Sequence, residues 1–220
     1  MMKVISVNVG LPRQVSYEKR QVVTSIFKEP VEGRVKVTTL NLNGDAQADL
    51  SVHGGVDKAI YSYSEEHYNY WKEAYPMIDM PLGMFGENLT TQGLYEDMVN
   101  IGDQYQIGSS RLVVTQPRMP CYKLGIKFGR MDILEKFVNS QRPGIYYRVL
   151  EEGELGAGDS IELLYRDKNN VSINDIVSLY INDHYDGENL SKMQKATKLE
   201  FLPERWRIYF GQKIARLRKS

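Results

Sequence analysis

The amino-acid sequence predicts a mainly β fold, a barrel or a sandwich, followed by a small bundle of three helices. Up to about residue 165, short segments rich in apolar residues are separated by glycine-rich turns, which is typical of antiparallel β-structure. After the polar segment 166–170 the apolar spacing becomes helical. We therefore predict two domains, a β domain over residues 1–168 and a three-helix domain over residues 169–220.

Composition favours an ordinary globular protein. Hydrophobic residues make up 42% and charged residues 25% of the 220 residues. Lys plus Arg and Asp plus Glu are equal at 28 each, so no charge excess indicates a nucleic-acid polymer or an anionic membrane as partner. The apolar run at the start is too short and interrupted for a signal peptide, and no segment is long enough to span a membrane. We expect a soluble, cytoplasmic protein whose single cysteine forms no intramolecular disulfide.

Alternating apolar side chains and turn residues predict strands in four segments: 4–9, 34–40, the hairpin 99–116 and 159–166. In the first segment, Ile5, Val7 and Val9 would share one face. In the hairpin, the sequence Gly-Ser-Ser would turn the chain back on itself.

Two helices are predicted within the β domain. The first spans residues 64–75, with Ser64 as its cap and a buried face of three aromatic residues. The second spans residues 132–138, where Asp132 and Glu135 have the spacing of a capping box. The aromatic face of the first helix is Tyr68, Trp71 and Tyr75.

The predicted C-terminal bundle begins with a helix capped by Ser172. A short helix follows near residues 191–198, and Pro203 marks the start of the third. The apolar stripe of the third helix is Trp206, Phe210, Ile214 and Leu217. Its many basic residues are predicted to form a solvated face, with a docking surface for an acidic redox partner as the alternative.

Common cofactor motifs are absent from the sequence. It has no phosphate-binding P-loop, no GxGxxG, no HExxH and no CxxC. The three histidines, His53, His67 and His184, lie too far apart along the chain to predict a local metal site.

Two polar loops are candidate binding segments. In the first, residues 47–59, a His-Gly-Gly run precedes Asp57 and Lys58. Its backbone N–H groups could approach an anion, or the glycines could simply form a turn at the end of a strand. In the second loop, residues 85–93, Asn88 and Thr90 could bind a ligand or close a local turn.

The third candidate is Cys121 in the sequence TQPRMPCYKLG. Arg118 and Lys123 are cations only three and two residues away, and nearby cations favour the thiolate that acts as nucleophile or metal ligand. Pro117 and Pro120 restrict the backbone around the thiol. The alternative is that Cys121 is a small buried apolar residue.

Taken together, these segments resemble one protein family. The sequences GDAQADLSVHGGVDKAIYSYSEEHYNYW, FGENLTTQGL, IGDQYQIG and TQPRMPCYKL occur in the order found in MOSC-domain proteins, named for the C-terminal domain of molybdenum cofactor sulfurase. Within that family the chain is most similar to the 6-N-hydroxylaminopurine resistance proteins, which also have a small C-terminal three-helix domain. The resemblance covers nearly the whole chain.

The resemblance implies a closed, mostly antiparallel MOSC-type β-barrel that binds the molybdenum cofactor, or molybdopterin, through Cys121 as the protein ligand of the metal. It suggests Gly54, Gly55, Lys58 and Lys28 as groups that hold the phosphate of the cofactor. Arg118, His53 and Lys123 would surround the oxygen ligands of the metal or the thiolate. Asp57, Asn88 and Gln116 complete the expected cofactor site.

The resemblance further implies a reductase that converts N-hydroxylated compounds, such as 6-N-hydroxylaminopurine, to amines. Cys121, His53 and Arg118 would be the catalytic residues, with His53 carrying protons. Electrons would come from a separate donor reductase, and a homodimer is a possible assembly. Pyridoxal phosphate is not expected to bind. Two alternatives stay open: a sulfur carrier that uses a Cys121 persulfide, and a non-catalytic module that stores or delivers the cofactor.

Overall fold

The computed structural model describes residues 1–48, 54–182 and 187–217. None of the helices in these ranges has the length and apolar composition needed to cross a membrane. The strands in these ranges are β1 (Lys3–Val9), β2 (Arg13–Tyr17), β3 (Arg20–Thr24), β4 (Glu29–Val31), β5 (Arg34–Val37), β6 (Ile60–Ser64), β7 (Leu89–Gln92), β8 (Gln104–Ile107), β9 (Ser110–Pro117), β10 (Ile145–Glu151), β11 (Gly153–Gly156) and β12 (Ile161–Tyr165). The α-helices are α1 (Glu66–Ala74), α2 (Tyr122–Phe128), α3 (Ile133–Asn139), α4 (Ile173–Ile181), α5 (Gly187–Ala196) and α6 (Glu204–Leu217).

Eight strands form the central sheet, in the order β12-β8-β9-β10-β6-β7-β1-β4. All neighbours in this sheet are antiparallel except β6 and β7. Smaller sheets pair β11 with β5 and β2 with β3. The mainly β prediction is therefore confirmed for the described residues.

The prediction of a closed barrel is not confirmed, because the sheet is open between β12 and β1. The short strand β4 occupies the free edge of β1 at Val7–Val9. At the other end of β1, an isolated bridge joins Lys3 to Ser160, just before β12 begins. Backbone hydrogen bonds from Val4 N to Asp159 O and from Ile161 N to Met2 O accompany this bridge. These contacts bring the two edges together without a continuous ladder.

The predicted strands are present, with different limits. The segment predicted over 34–40 ends at Val37, because Thr38 turns the chain through hydrogen bonds with Asn41. The turn of the predicted hairpin is confirmed between β8 and β9. In β1 the predicted face is wrong: Val4 and Val7 are buried, whereas Ile5 is only partly buried. A bulge between residues 4 and 6 breaks the simple alternation.

The buried aromatic face of α1 is confirmed, but its predicted cap is not. The Ser64 hydroxyl donates to the Glu66 carboxylate instead of capping the backbone. Before α3, Asp132 likewise makes no capping bond and pairs with Arg130 and Lys136. Helix α2 was not predicted from the sequence. Helices α1, α2 and α3 pack with β6 around a hydrophobic cluster of their own. In this cluster the rings of Tyr63 and Phe85 stack with centroids 4.3 Å apart.

The three predicted C-terminal helices are present as α4, α5 and α6. Their apolar residues, including Ile176, Met193 and Phe210, belong to the same hydrophobic cluster as the central sheet. A separate three-helix domain is therefore not confirmed, and the boundary after residue 168 stays a prediction. In α6, Trp206 and Ile214 are buried as the stripe predicted.

Helix α4 has the predicted cap at Ser172. The Ser172 hydroxyl accepts from Asp175 N at 3.0 Å, and the Asp175 carboxylate accepts from Ser172 N at 2.9 Å. Replacing Ser172 with Ala should lower the free energy of unfolding by about 1 kcal/mol, because the backbone N–H of Asp175 loses its acceptor and only the Asp175 half of the capping box is left. Urea unfolding of both proteins measures the difference.

The matched control is Ser191→Ala, at an exposed position within α5. Alanine is the better helix former there, so this variant should be as stable as the wild type or slightly more stable. Equal stability losses in the two variants would contradict a capping role for Ser172.

Candidate functional site

A cleft opens between the end of β3, the loop before residue 48, the start of β6 and the segment that joins β9 to α2. It encloses about 660 Å³, open solvent included. The described residues that line it are Thr24, Ser25, Ile26, Lys28, Asp45, Ala46, Gln47, Ala48, Lys58, Tyr61, Gly86, Asn88, Arg118, Met119, Cys121, Lys123 and Tyr146. Four of these side chains are cationic and one is a carboxylate.

Cys121 lies where the chain leaves the sheet and enters α2. Its backbone is extended, with φ −128° and ψ 166°, and its carbonyl accepts from Leu124 N in the first turn of the helix. The thiol is free and the residue is partly exposed, which does not support the alternative of a small buried apolar cysteine. Among the described residues, no group of three or more His, Cys, Asp or Glu side chains could hold a metal ion.

Arg118 is held rigidly at the wall of the cleft. Its side chain is only 7% exposed. The guanidinium carbon lies 5.2 Å from the ring centroid of Tyr61 and 5.3 Å from that of Phe137, within the range of cation–π attraction. Its buried Nη1 has no hydrogen-bond partner among the described residues. A permanently charged group with an unused buried donor is costly unless a ligand accepts from it.

Lys28 and Asn88, both predicted to bind the cofactor, line the cleft but already have partners in the protein. Lys28 forms a buried ion pair with Asp45. Burial lowers the pKa of Lys28, while the Asp45 carboxylate acts in the opposite direction. Asp45 also accepts from Asn88 Nδ2 at 2.9 Å, and Asn88 Oδ1 accepts from Tyr61 N at 3.1 Å. This network joins three parts of the cleft wall.

Two further lysines supply positive charge: Lys58, which lies far before Cys121 in the sequence, and Lys123, which lies two residues after it. Burial and, after it, the nearby Arg205 charge lower the pKa of Lys58 to about 8, whereas Cys121 and Asp57 oppose the shift. Lys123, on the first turn of α2, is 9% exposed. Both side chains line the cleft.

Several predicted site residues lie outside the cleft lining. Gly54 and Gly55 precede the 3-10 helix Val56–Lys58 but do not line the cleft. Asp57 pairs with Arg148. Gln116 is also absent from the lining and fixes other elements: its Oε1 accepts from Arg205 Nη2 and Trp206 Nε1, and its Nε2 donates to Asp57 O. His53 lies outside the described residues.

The structure also adds residues that the sequence did not indicate. Asp45 lies within the motif that carries the resemblance, yet nothing in its spacing predicted the ion pair with Lys28. Ser25, Met119 and Tyr146 also line the cleft. Only the aromatic face of α1 was interpreted from the sequence, which gave no signal for Tyr146. Ser25 follows the hairpin of β2 and β3, and the sequence gave no signal for it either.

Lys127, one turn further along α2, fixes the segment that carries Ser25. Its Nζ donates to Ile26 O at 2.9 Å and to Gly83 O at 2.6 Å. Burial lowers the pKa of Lys127 to about 8, against the attraction of Glu87. Glu87 is fully buried and accepts from Gly83 N and Phe85 N. The cleft thus rests on a buried network that joins α2 to the loop before β7.

Known proteins resemble the chain over most of its length. The YflK protein of Bacillus subtilis is 39% identical over 216 residues, which cover 97% of this chain and 95% of that protein. The YiiM protein of Escherichia coli is 35% identical over 180 residues, covering 80% of this chain and 79% of YiiM. The crystal structure of YiiM from Geobacillus stearothermophilus superposes with a TM-score of 0.80 at 33% identity, covering 97% of this chain and 100% of that one.

A longer relative carries a functional name. A protein of Gibberella moniliformis named "Reductase" is 36% identical over 149 residues, which are 66% of this chain but only 26% of the fungal protein. The MOSC domain profile matches residues 49–162, a range that includes Lys58, Arg118, Cys121 and Lys123. Together with the similarity to the YiiM proteins, this match shows that the chain belongs to the MOSC domain family as a member of the YiiM type.

Proposed function

We propose that the chain binds the molybdenum cofactor in the Cys121 cleft and reduces N-hydroxylated compounds to amines. The observation that carries this proposal is the placement of the single cysteine. Its thiol lines a cleft together with four cationic side chains. Membership of the MOSC family and the relative named "Reductase" support it.

The donor set of the cleft fits the cofactor. A thiolate is a soft ligand that suits molybdenum bound by sulfur, so Cys121 would hold the metal. The cofactor carries negative charge on its phosphate, which the cationic lining favours. Arg118 and Lys123 would hold these anionic groups, and the unused Nη1 of Arg118 is a donor available for one of them. Lys28 and Asn88 would act indirectly, by fixing the wall through Asp45.

The reaction converts a hydroxylamine, two electrons and two protons into an amine and water. When bound, the cofactor would supply two-electron chemistry that accepts the oxygen of the N–O bond. Lys58 is mostly protonated near neutral pH because its pKa is about 8, so its Nζ can give a proton to the departing oxygen. Arg118 would stabilise negative charge that develops beside it. His53 stays a predicted carrier of protons.

We propose that the electrons come from a separate reductase. The sequence has one cysteine, too few for an iron–sulfur cluster held by cysteines, and no dinucleotide-binding motif. The match to the fungal "Reductase" leaves about three quarters of that protein outside the aligned region, which leaves room for further domains there.

Replacing Cys121 with Ala should remove most of the bound metal. After expression in a host that makes the cofactor, the wild type should contain close to one molybdenum per chain, and the variant at least about tenfold less, because the metal loses its protein ligand. Elemental analysis of the purified proteins measures the ratio. Tyr122→Ala, at the exposed neighbouring position, is the matched control and should keep the wild-type metal content.

Metal-free wild-type protein from a host that loads other molybdenum enzymes would contradict the proposal. A persulfide on Cys121, detected by mass spectrometry in such protein, would favour the sulfur-carrier alternative. Full loading without reduction of N-hydroxylated bases by any electron donor would favour a module that stores the cofactor.

The affinity of the cleft for an anion should fall as pH rises through about 8. Below that pH Lys58 carries a charge, and above it the amine is neutral. Sulfate stays a dianion over this range, so its affinity for the cofactor-free protein should drop roughly five- to tenfold between pH 7 and pH 9. Isothermal titration calorimetry at constant ionic strength measures the change.

Two variants isolate the Lys58 contribution. Lys58→Arg keeps the charge, so its sulfate affinity should stay high across this range. Lys58→Met lacks the charge, so its affinity should be low and nearly independent of pH. A wild-type drop that persists unchanged in Lys58→Met would show that another group titrates.

A further inference from the structure

We propose that the exposed side of α6 is the docking surface for the electron donor, and that this donor is a protein with an acidic surface. The sequence left open whether the basic residues of this helix form only a solvated face. The inference rests on the proposed function, because it identifies where the separate reductase binds. Arg205, Ile208, Gln212 and Arg216 define this surface, which we call the α6 face.

The α6 face carries charge of one sign. Its four residues are exposed and follow one another at intervals of three or four positions, so they share one side of the helix. From Arg205 to Leu217 the sequence has four cationic side chains and no acidic one. The helix dipole favours a cation in the last turn, where Arg216 lies, but disfavours one in the first turn, where Arg205 lies. The dipole alone therefore does not explain this distribution.

Exposed apolar side chains accompany these cations. Ile208 is 52% exposed, and Tyr180 at the end of α4 is 39% exposed. The ring centroid of Tyr180 lies 5.4 Å from that of Tyr209. Lys213 fixes the end of α4 against α6, because its Nζ donates to Leu179 O at 3.0 Å. Tyrosine and arginine side chains on a rigid frame are typical of protein interfaces.

A shallow depression on this side of α6 can receive an acidic side chain of a partner. It encloses about 390 Å³, open solvent included, and is lined by Tyr209, Gln212, Lys213 and Arg216. The lining thus combines an ammonium and a guanidinium with a hydroxyl and an amide. A carboxylate that enters the depression would meet positive charge and hydrogen-bond donors together.

The N-terminal end of the α6 face touches the wall of the cleft. Arg205 Nη2 donates to Gln116 Oε1 at 2.5 Å, and Trp206 Nε1 donates to the same oxygen at 3.2 Å. Gln116 lies in β9, five residues before Cys121. Burial and, after it, the Arg205 charge lower the pKa of Lys58, which lines the cleft. A protein bound along α6 would therefore hold its redox group beside the cleft.

The charge of the face selects the partner. A second copy of the chain would present the same cations across a twofold interface, where like charges repel. A nucleic-acid polymer would be attracted by the face, but the balanced charge of the whole chain provides no wider positive field for it. A protein with an acidic surface complements the cations and can also cover Ile208.

The size of the face suits an electron-transfer partner. From Arg205 to Arg216 the helix extends about 16 Å, at 1.5 Å per residue. Transient electron-transfer complexes have small interfaces, below about 1,200 Å² in total. A small, charged surface beside the cleft therefore fits a donor that binds briefly, gives up its electrons and leaves.

The test compares two electron sources for the molybdenum-loaded protein. Reduced methyl viologen is a small donor that needs no docking surface. A desalted soluble extract of the organism from which the chain comes, supplied with reduced nicotinamide nucleotide, contains the protein donors. Each source should drive the reduction of an N-hydroxylated base by the wild type, with two electrons taken from the donor for each amine formed.

The double variant Ile208→Glu/Arg216→Glu should slow the extract-driven reaction at least about tenfold, because the acidic partner meets like charges on the face. Its viologen-driven rate and its molybdenum content should equal those of the wild type. The matched control is Leu164→Glu/Lys72→Glu, at exposed positions on β12 and α1, which should behave like the wild type with both donors. Added salt should slow only the extract-driven reaction.

Cofactor-free protein gives a second measure of docking. Cys121→Ala protein, added in excess, should occupy the donor and slow the extract-driven reaction of the loaded wild type severalfold. Cys121→Ala protein that also carries the two changes in α6 should not slow it.

Full extract-driven activity of the double variant, or equal competition by the two cofactor-free proteins, would overturn the docking surface. A wild type that is active with viologen but not with the extract would also overturn it. Single-stranded RNA that binds the wild type and not the double variant would assign the face to nucleic acid instead. Loaded wild type that is inactive even with viologen would overturn the proposed function itself, so the two failures are distinguishable.

Discussion

The concentration of positive charge around one thiol is the constraint on which the site depends. Lys28, Lys58, Arg118 and Lys123 line a single cleft with Cys121, and the one carboxylate of the described lining is bound to Lys28. Burying such charge is unfavourable unless the protein or a ligand compensates for it. The aromatic rings against Arg118 and the shared Asp45 network stabilise this arrangement only in part. This positive charge is the basis of our proposal that the cleft binds an anionic ligand.

The parts of the structure that depend on local sequence could be predicted. The capping box of Ser172, the hairpin between β8 and β9 and the aromatic face of α1 each follow from residues only a few positions apart. The same is true of the site: Arg118 and Lys123 lie within three residues of Cys121, so the chain itself keeps them close to the thiol. The prediction of Lys58 needed the family resemblance, because a Gly-Gly pair alone indicates only a turn.

The parts that depend on distant contacts could not be predicted. Ser25 and Asp45 enter the cleft because β3 and the loop after β5 pack beside β6 and α2, a juxtaposition that no spacing in the sequence reveals. The open sheet follows from β4, a three-residue strand that occupies an edge of β1. Asp57 pairs with Arg148, and Gln116 accepts a hydrogen bond from Arg205 of α6. These partners lie far along the chain, so the sequence could not show that the two side chains are engaged outside the cleft.

The central claim is that the cleft holds molybdenum through the Cys121 thiol, and X-ray absorption at the molybdenum edge tests it most directly. The wild type and a Cys121→Ser variant would both be incubated with isolated cofactor and freed of excess. The account predicts one more sulfur neighbour around molybdenum in the wild type than in the variant, or a variant that retains no molybdenum at a cofactor concentration that loads the wild type. Equal loading with identical sulfur shells in the two proteins would contradict it.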